Sequence, residues 1–204
     1  MCGRFIDPDI RGTEIDFDQL KLDPWSRRYN IKPTNDVLTI DAEGNGAMAR
    51  WWLIPTWHKG DLRDWKATTF NARIEEAASK PTFRGAWRYG RCLIPAGGYY
   101  EWTGPKGAKQ PHFICSAGNE ETLWFAGLIS VWQDLRTCTI MTRASIPAVS
   151  DIHTRMPVIL NSEERETWIM GGSDAGFGAT AALRHYPVAP LRSAEDGPEL
   201  IEAL

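Results

Sequence analysis

Long apolar runs are missing from this chain: none approaches the ~20 residues that a membrane-spanning helix requires. The opening Met1-Cys2-Gly3-Arg4-Phe5-Ile6-Asp7 also lacks a basic segment followed by an apolar one, so export is not expected and a cytoplasmic location is. Cysteine is sparse. The four residues stand at 2, 92, 115 and 138 with no CxxC pair, which argues against a disulfide framework and a zinc ribbon. Cys92, Cys115 and Cys138 sit in apolar or β-branched stretches and read as small buried hydrophobes. His112 and Cys115, three residues apart on a strand, fall on opposite faces, so no metal site is expected, and no cofactor is implied. A strong charge of one sign is lacking too: 23 Lys/Arg face 26 Asp/Glu, a formal net charge of -3, which imposes no global nucleic-acid affinity.

At 204 residues the chain is long enough to bury a continuous core without staples, and one domain over 1–204 is expected. Charge is unevenly spread within it. Residues 1–100 carry 15 basic and 13 acidic side chains, and residues 101–204 carry 8 and 13; residues 50–91 alone hold 9 basic and 4 acidic ones. That stretch also holds Trp51, Trp52, Trp57 and Trp65 from a total of ten tryptophans. Most tryptophans pack in or beside a core. Interleaved with Arg and Lys they also suit stacking on unpaired bases, and Trp57, followed by polar residues, is the expected exposed one.

Periodicity predicts short strands over 37–40, 47–52, 91–94, 112–115, 123–126 and 136–141, bounded by Gly, Pro, Asp or Asn, with a turn over 41–46. Helices are expected over 16–22, over 73–79 ending before Pro81, and over 162–170 behind an Asn161–Glu164 capping box. Residues 171–176 and 193–197 read as loop and turn. The strands do not alternate with long helices as parallel βαβ units require, so the fold class is α+β with a mainly antiparallel sheet.

Cys2 changes the problem. Removal of the initiator methionine would leave an amine and a thiol on one terminal residue. An α-amine titrates near ~7.7–8.0, against ~10.4 for lysine, and is partly neutral at physiological pH. A neutral amine attacks an aldehyde, and the neighbouring thiol then closes onto the same carbon, giving a thiazolidine ring that effective concentration favours. An incidental buried cysteine is the alternative.

Further motifs occur in order: Arg28-Tyr-Asn-Ile-Lys-Pro-Thr34, Trp52-Leu-Ile-Pro-Thr-Trp57, Asn71-Ala-Arg-Ile-Glu75, Phe83-Arg84, Arg91-Cys-Leu-Ile-Pro95, Gly98-Tyr-Tyr-Glu-Trp102, Ala126-Gly-Leu128 and His153-Thr-Arg-Met-Pro-Val-Ile-Leu160. With Met1-Cys-Gly-Arg-Phe5 they resemble the SOS response-associated peptidase (SRAP) family from residue 1 to about 190. The resemblance implies a barrel-like β core flanked by a few helices. It also implies that Cys2 captures the aldehyde of a ring-opened abasic site in single-stranded DNA as a covalent thiazolidine, with peptidase-like removal of Met1 by the protein itself.

By that resemblance Asn71 positions Cys2, an alternative being a helix N-cap before Ala72, while Glu101 and His153 move protons. The closed sugar needs an acid at its ring oxygen and the carbinolamine must lose water; His153 is assigned to ring opening and Glu101 to imine formation or ring closure. Either could instead be a packing or salt-bridged residue. Arg4, Arg73, Arg84 and Arg155 are the expected phosphate contacts, and Pro33 and Trp57 the expected supports for bases flanking the lesion. Lys32 replaces the small residue of the family's Asn-Ile-Ala-Pro version and would add a phosphate contact. Gly97-Gly98-Tyr99-Tyr100 departs from the usual Asp-Gly-Phe-Tyr, leaving Glu101 intact. A monomer is expected. Two other readings stay open: a cysteine peptidase or hydrolase with His153 as base, and a noncatalytic reader of single strands.

Overall fold

The computed structural model describes residues 2–9, 26–118, 122–172 and 176–204; the helix expected over 16–22 lies outside these residues. Eleven strands are seen among the described residues: β1 (Phe5–Ile6), β2 (Asp36–Ile40), β3 (Gly46–Trp51), β4 (Asn71–Arg73), β5 (Arg91–Ala96), β6 (Gly98–Thr103), β7 (Gln110–Ser116), β8 (Leu123–Trp132), β9 (Leu135–Ala144), β10 (Arg155–Pro157) and β11 (Leu183–Pro187). Three helices accompany them, α1 (Ile74–Ala77), α2 (Pro81–Tyr89) and α3 (Ser162–Ile169). The class is the expected α+β.

Strands β9, β3, β2, β5 and β8 succeed one another around a ring that the β8–β9 pairing closes into a five-stranded barrel. Most pairings are antiparallel, but β3 and β4 both run parallel to β9. The β2–β3 hairpin turns where expected: Asp41 Oδ1 accepts from the backbone N–H groups of Glu43 and Asn45 at 3.1 and 2.8 Å, an Asx-type turn, and Gly44 takes φ +79°.

A second sheet, ordered β1-β6-β7-β11, grows from the barrel because β5 runs into β6 through Gly97. This crossing tolerates no side chain. A Cβ on Gly97 would sit 2.9 Å from Asp7 O, and one on Gly98 would sit 2.3 Å from Phe113 Cζ. The chain start is sewn to this sheet. Phe5 pairs with Tyr99 and Ile6 with Gly98, and Phe5 exchanges backbone hydrogen bonds with Ile31.

The barrel core contains Cys2, Phe5, Val37, Trp51, Cys92, Ile94, Phe125, Cys138 and Ile140. Trp51 meets Phe5 edge-on at 5.1 Å and donates through Nε1 to Phe70 O at 2.7 Å. Of the nine tryptophans among the described residues, four are buried and Trp57 alone, at 54% exposure, is exposed. Cys92 and Cys138 are buried as expected, whereas Cys115 is half-buried.

The helices differ from expectation in an instructive way. Residues 71–73 form β4, so the helix expected over 73–79 shortens to α1, with Arg73 rather than Asn71 at its N-cap. Helix α2 begins at Pro81; the proline that reads as a stop is a start, because the first helical residue needs no N–H and proline fixes its φ. Helix α3 carries the expected capping box, with Asn161 and Glu164 each accepting from the other's backbone N–H at 2.9 Å. Arg91 clamps α2 to α3, its guanidinium 4.2 Å from the Trp87 ring and 4.3 Å from that of Trp168.

Candidate functional site

The chain start and β6 run antiparallel, with Tyr100 N donating to Arg4 O at 2.9 Å. Cys2 therefore lies beside Glu101, and the negative charge of Glu101 acts on the Cys2 thiol. From the barrel side comes Asn71, held on β4 opposite Ile140; its Nδ2 donates to Cys2 O at 2.6 Å. The terminus is thus gripped by its own carbonyl, across 69 residues of sequence. This corrects the helix-cap alternative for Asn71, which is a strand residue.

Cys2 is fully buried. Its Sγ lies 3.9 Å from Arg4 O. Burial first, and Glu101 second, push the thiol far above the ordinary cysteine range, since removing a thiolate from water and setting it beside a carboxylate both disfavour the charged form. Cys2 at rest is a neutral thiol. Glu101 is itself 4% exposed and pairs in register with His112 of β7. Tyr99, two residues earlier on β6, shares its face. Sequence reasoning passed over Tyr99, although the two-residue strand period was the available signal.

His153 comes after a 3-10 turn at Pro147–Val149, with its N–H donating to Val149 O at 3.2 Å. Its Nδ1 lies 2.9 Å from Arg155 N and 3.1 Å from Arg155 O. The ring is tethered at Nδ1 in either tautomer, so proton chemistry falls to Nε2. Its neighbours Ile152 and Met156 belong to the same core cluster as Cys2.

The arginines divide. Arg155 grips Glu75 with two hydrogen bonds of 2.8 and 3.0 Å and reaches Thr142 O at 2.6 Å; Glu75 is held below the usual carboxylate range by that donation. Arg4 stands over the Trp102 ring at 5.6 Å. Arg73 is exposed and pairs with Glu76 at 3.2 Å, and Arg84 is exposed on α2. Lys32, expected to add a phosphate contact, instead bonds Ser193 through Nζ, at 2.6 Å to O and 3.2 Å to Oγ. Pro33 sits in the tight turn where Asn35 N donates to Lys32 O at 3.0 Å, two residues past the Ile31 bridge to Phe5.

Trp57 stands apart. Its Nε1 donates to Pro81 O at 3.2 Å, and its neighbour His58 accepts through its backbone oxygen from Trp132 Nε1 at 2.8 Å, at the β8–β9 turn. Asn71 lies five residues up β9 from that turn, roughly 15–20 Å away at strand spacing. Trp57 instead lines a groove of about 800 Å³ with Pro81, Arg88, Tyr89, Arg136 and Met170. The structure therefore joins Cys2, Asn71 and Glu101, and does not join Trp57 to them.

A five-stranded barrel that packs its own chain start in the core, gripped by an asparagine and flanked by a buried glutamate, defines a fold organised around its first residues. The chain belongs to the family described as SOS response associated peptidase (SRAP), whose model matches residues 1–195. It is 37% identical over 184 residues to the abasic site processing protein YoqW of Bacillus subtilis, covering 83% of this chain and 80% of that one. With the abasic site processing protein YedK of Escherichia coli it shares 30% identity over 184 residues, 83% of this chain and 79% of the relative. A crystal structure of a Bacteroides thetaiotaomicron protein superposes with a TM-score of 0.78 at 22% identity, covering 95% and 93% of the two chains. Among the described residues no helix is long and apolar enough to cross a membrane.

Proposed function

We propose that the protein captures abasic sites in single-stranded DNA by a covalent thiazolidine formed on Cys2 after Met1 has been removed. The observation that carries this reading is the grip of Asn71 on the Cys2 carbonyl with Glu101 buried alongside: the fold fixes its first residues as other folds fix a catalytic side chain. The names of the relatives, abasic site processing proteins, support the substrate.

The burial of Cys2 orders the chemistry. Its thiol is neutral at rest, so the terminal amine acts first. His153, through Nε2, protonates the sugar ring oxygen as the C1′ hydroxyl gives up its proton to solvent and the hemiacetal opens. The amine adds to C1′, and water leaves to give an imine. The sulfur then bonds to C1′ as its proton passes to Glu101, the electron pair of the former double bond moves onto nitrogen, and Glu101 hands that proton on to the nitrogen. One carbon ends bonded to both nitrogen and sulfur. Arg4, Arg73 and Arg84 hold phosphates of the strand. Arg155 reaches a phosphate only by leaving Glu75, so its first role is to brace the segment that carries His153. Pro33 supports a base next to the lesion, and Trp57 a base further along the strand.

The test is a single strand with one abasic site, mixed with the protein, denatured and run on a gel. The native protein, having lost Met1 by intact mass, gives a heat-stable adduct. Cys2→Ala gives none. An adduct of unchanged yield from Cys2→Ala, or from protein that retains Met1, would overturn the reading; a protein that acts as a peptidase alone would give no adduct in either form.

A further inference from the structure

Around Cys2 the structure leaves hydrogen-bonding capacity unused. The Tyr99 hydroxyl and Asn71 Oδ1 are both buried and have no hydrogen-bond partner among the described residues. A buried hydroxyl without a partner lowers the stability of a fold, and replacing Tyr by Phe would remove it without changing the shape of the ring. Its place in the fold is specific. Tyr99 is 1% exposed, lies opposite Phe5 in the β1–β6 register, shares a core cluster with Cys2, and meets Phe125 edge-on at 6.1 Å. It shares the face of Glu101 on β6. Burial above all, with Glu101 on the same side of the strand, pushes its phenol well above the ordinary tyrosine range. It keeps its proton and is a donor.

The reaction of Cys2 creates a need for such a donor. As ring closure begins, the sulfur loses its proton inside a core that disfavours the thiolate, and next to a carboxylate that disfavours it further. A neutral hydroxyl donating to that sulfur would offset both effects without adding charge. Resting on the thiazolidine reading above, we propose that the Tyr99 hydroxyl is a further polar group of the site, donating a hydrogen bond to the Cys2 sulfur while it closes onto the lesion carbon. Tyr99 keeps its proton throughout; the proton lost by sulfur goes to Glu101.

The experiment separates the two bond-forming steps. Borohydride reduces the imine to a stable amine, whereas the closed ring survives heating without a reductant. Native protein and Tyr99→Phe are compared on the same abasic strand, with thermal melting to compare their stability. The variant is expected to melt no lower than the native protein, bind the strand equally well and form the reducible imine at the native rate. Its conversion to the heat-stable adduct should slow about tenfold or more, as loss of one hydrogen bond to a developing charge produces. The rise of that rate with pH should move to higher pH, because the lost donor favoured the thiolate. Equal conversion rates and pH profiles in the two proteins would overturn the role of Tyr99 alone, as would an equal slowing of both steps. Absence of an adduct from the native protein would instead overturn the thiazolidine reading and this inference with it.

Discussion

At the scale of single residues, the site depends on one polar contact made over a long sequence distance. Asn71 Nδ2 holds Cys2 O at 2.6 Å, a bond that fixes where the main chain of Cys2 stands. Asn71→Ala is expected to slow adduct formation by more than tenfold, while costing about 1 kcal/mol of stability; single-turnover kinetics beside a denaturant melt would separate the two. Little of this was legible in local sequence. Residue type made Cys2 a candidate, because position 2 is where a thiol and a terminal amine can share a residue. Nothing in the spacing of Cys2, Asn71, Glu101 and His153 brings them together; the family resemblance did that, and the structure supplies the Asn71 bond and the nearness of Glu101. Tyr99 escaped because a tyrosine inside an aromatic strand reads as packing until its neighbours are known.

At the scale of elements, strands with strong β-branched or apolar content were legible. The runs at 91–94 and 136–141 fall inside β5 and β9, and the α3 capping box was readable from two residues. What failed were places where tertiary pairing overrides a local preference. Asn71-Ala-Arg73 has helix formers after an apparent cap, yet the edge of β9 offers unpaired backbone groups and captures it as a parallel strand. Helix α2 was hidden by Pro81: a proline can stop one helix or start another, and only the helical run from Thr82 to Tyr89 decides between them.

The brace between Arg155 and Glu75 belongs to this scale, because it ties β10 to α1. Donation from Arg155 lowers the Glu75 pKa, so the contribution is present above the unfolded carboxylate value of ~4.3 and is lost as pH falls through the lower folded value. Half the Glu75 side chain is exposed, which limits the contribution to at most ~1 kcal/mol. Glu75→Gln should melt a few degrees lower than the native protein at pH 7. That gap should narrow as pH falls below the unfolded carboxylate value and close once it passes the lower folded one, as followed by thermal melts across pH.

At the scale of the whole molecule, basic side chains outnumber acidic ones by 15 to 13 over residues 1–100, whereas residues 101–204 carry 8 and 13. Strand binding should therefore weaken with salt even though the net charge is -3. Arg84→Ala is expected to reduce the slope of log affinity against log salt by about 0.7, the share of one phosphate contact on a single strand, measured by fluorescence anisotropy with an intact oligonucleotide. The adduct yield at saturating abasic DNA should not change.

Chain ends in most folds fray, and residues can be added or trimmed there at little cost. Here Phe5 and Ile6 are buried, Phe5 pairs with both Tyr99 and Ile31, and Cys2 fills part of the barrel interior. One codon inserted between Cys2 and Phe5 is consequently a core mutation in this protein, and should broaden or lower its melting transition.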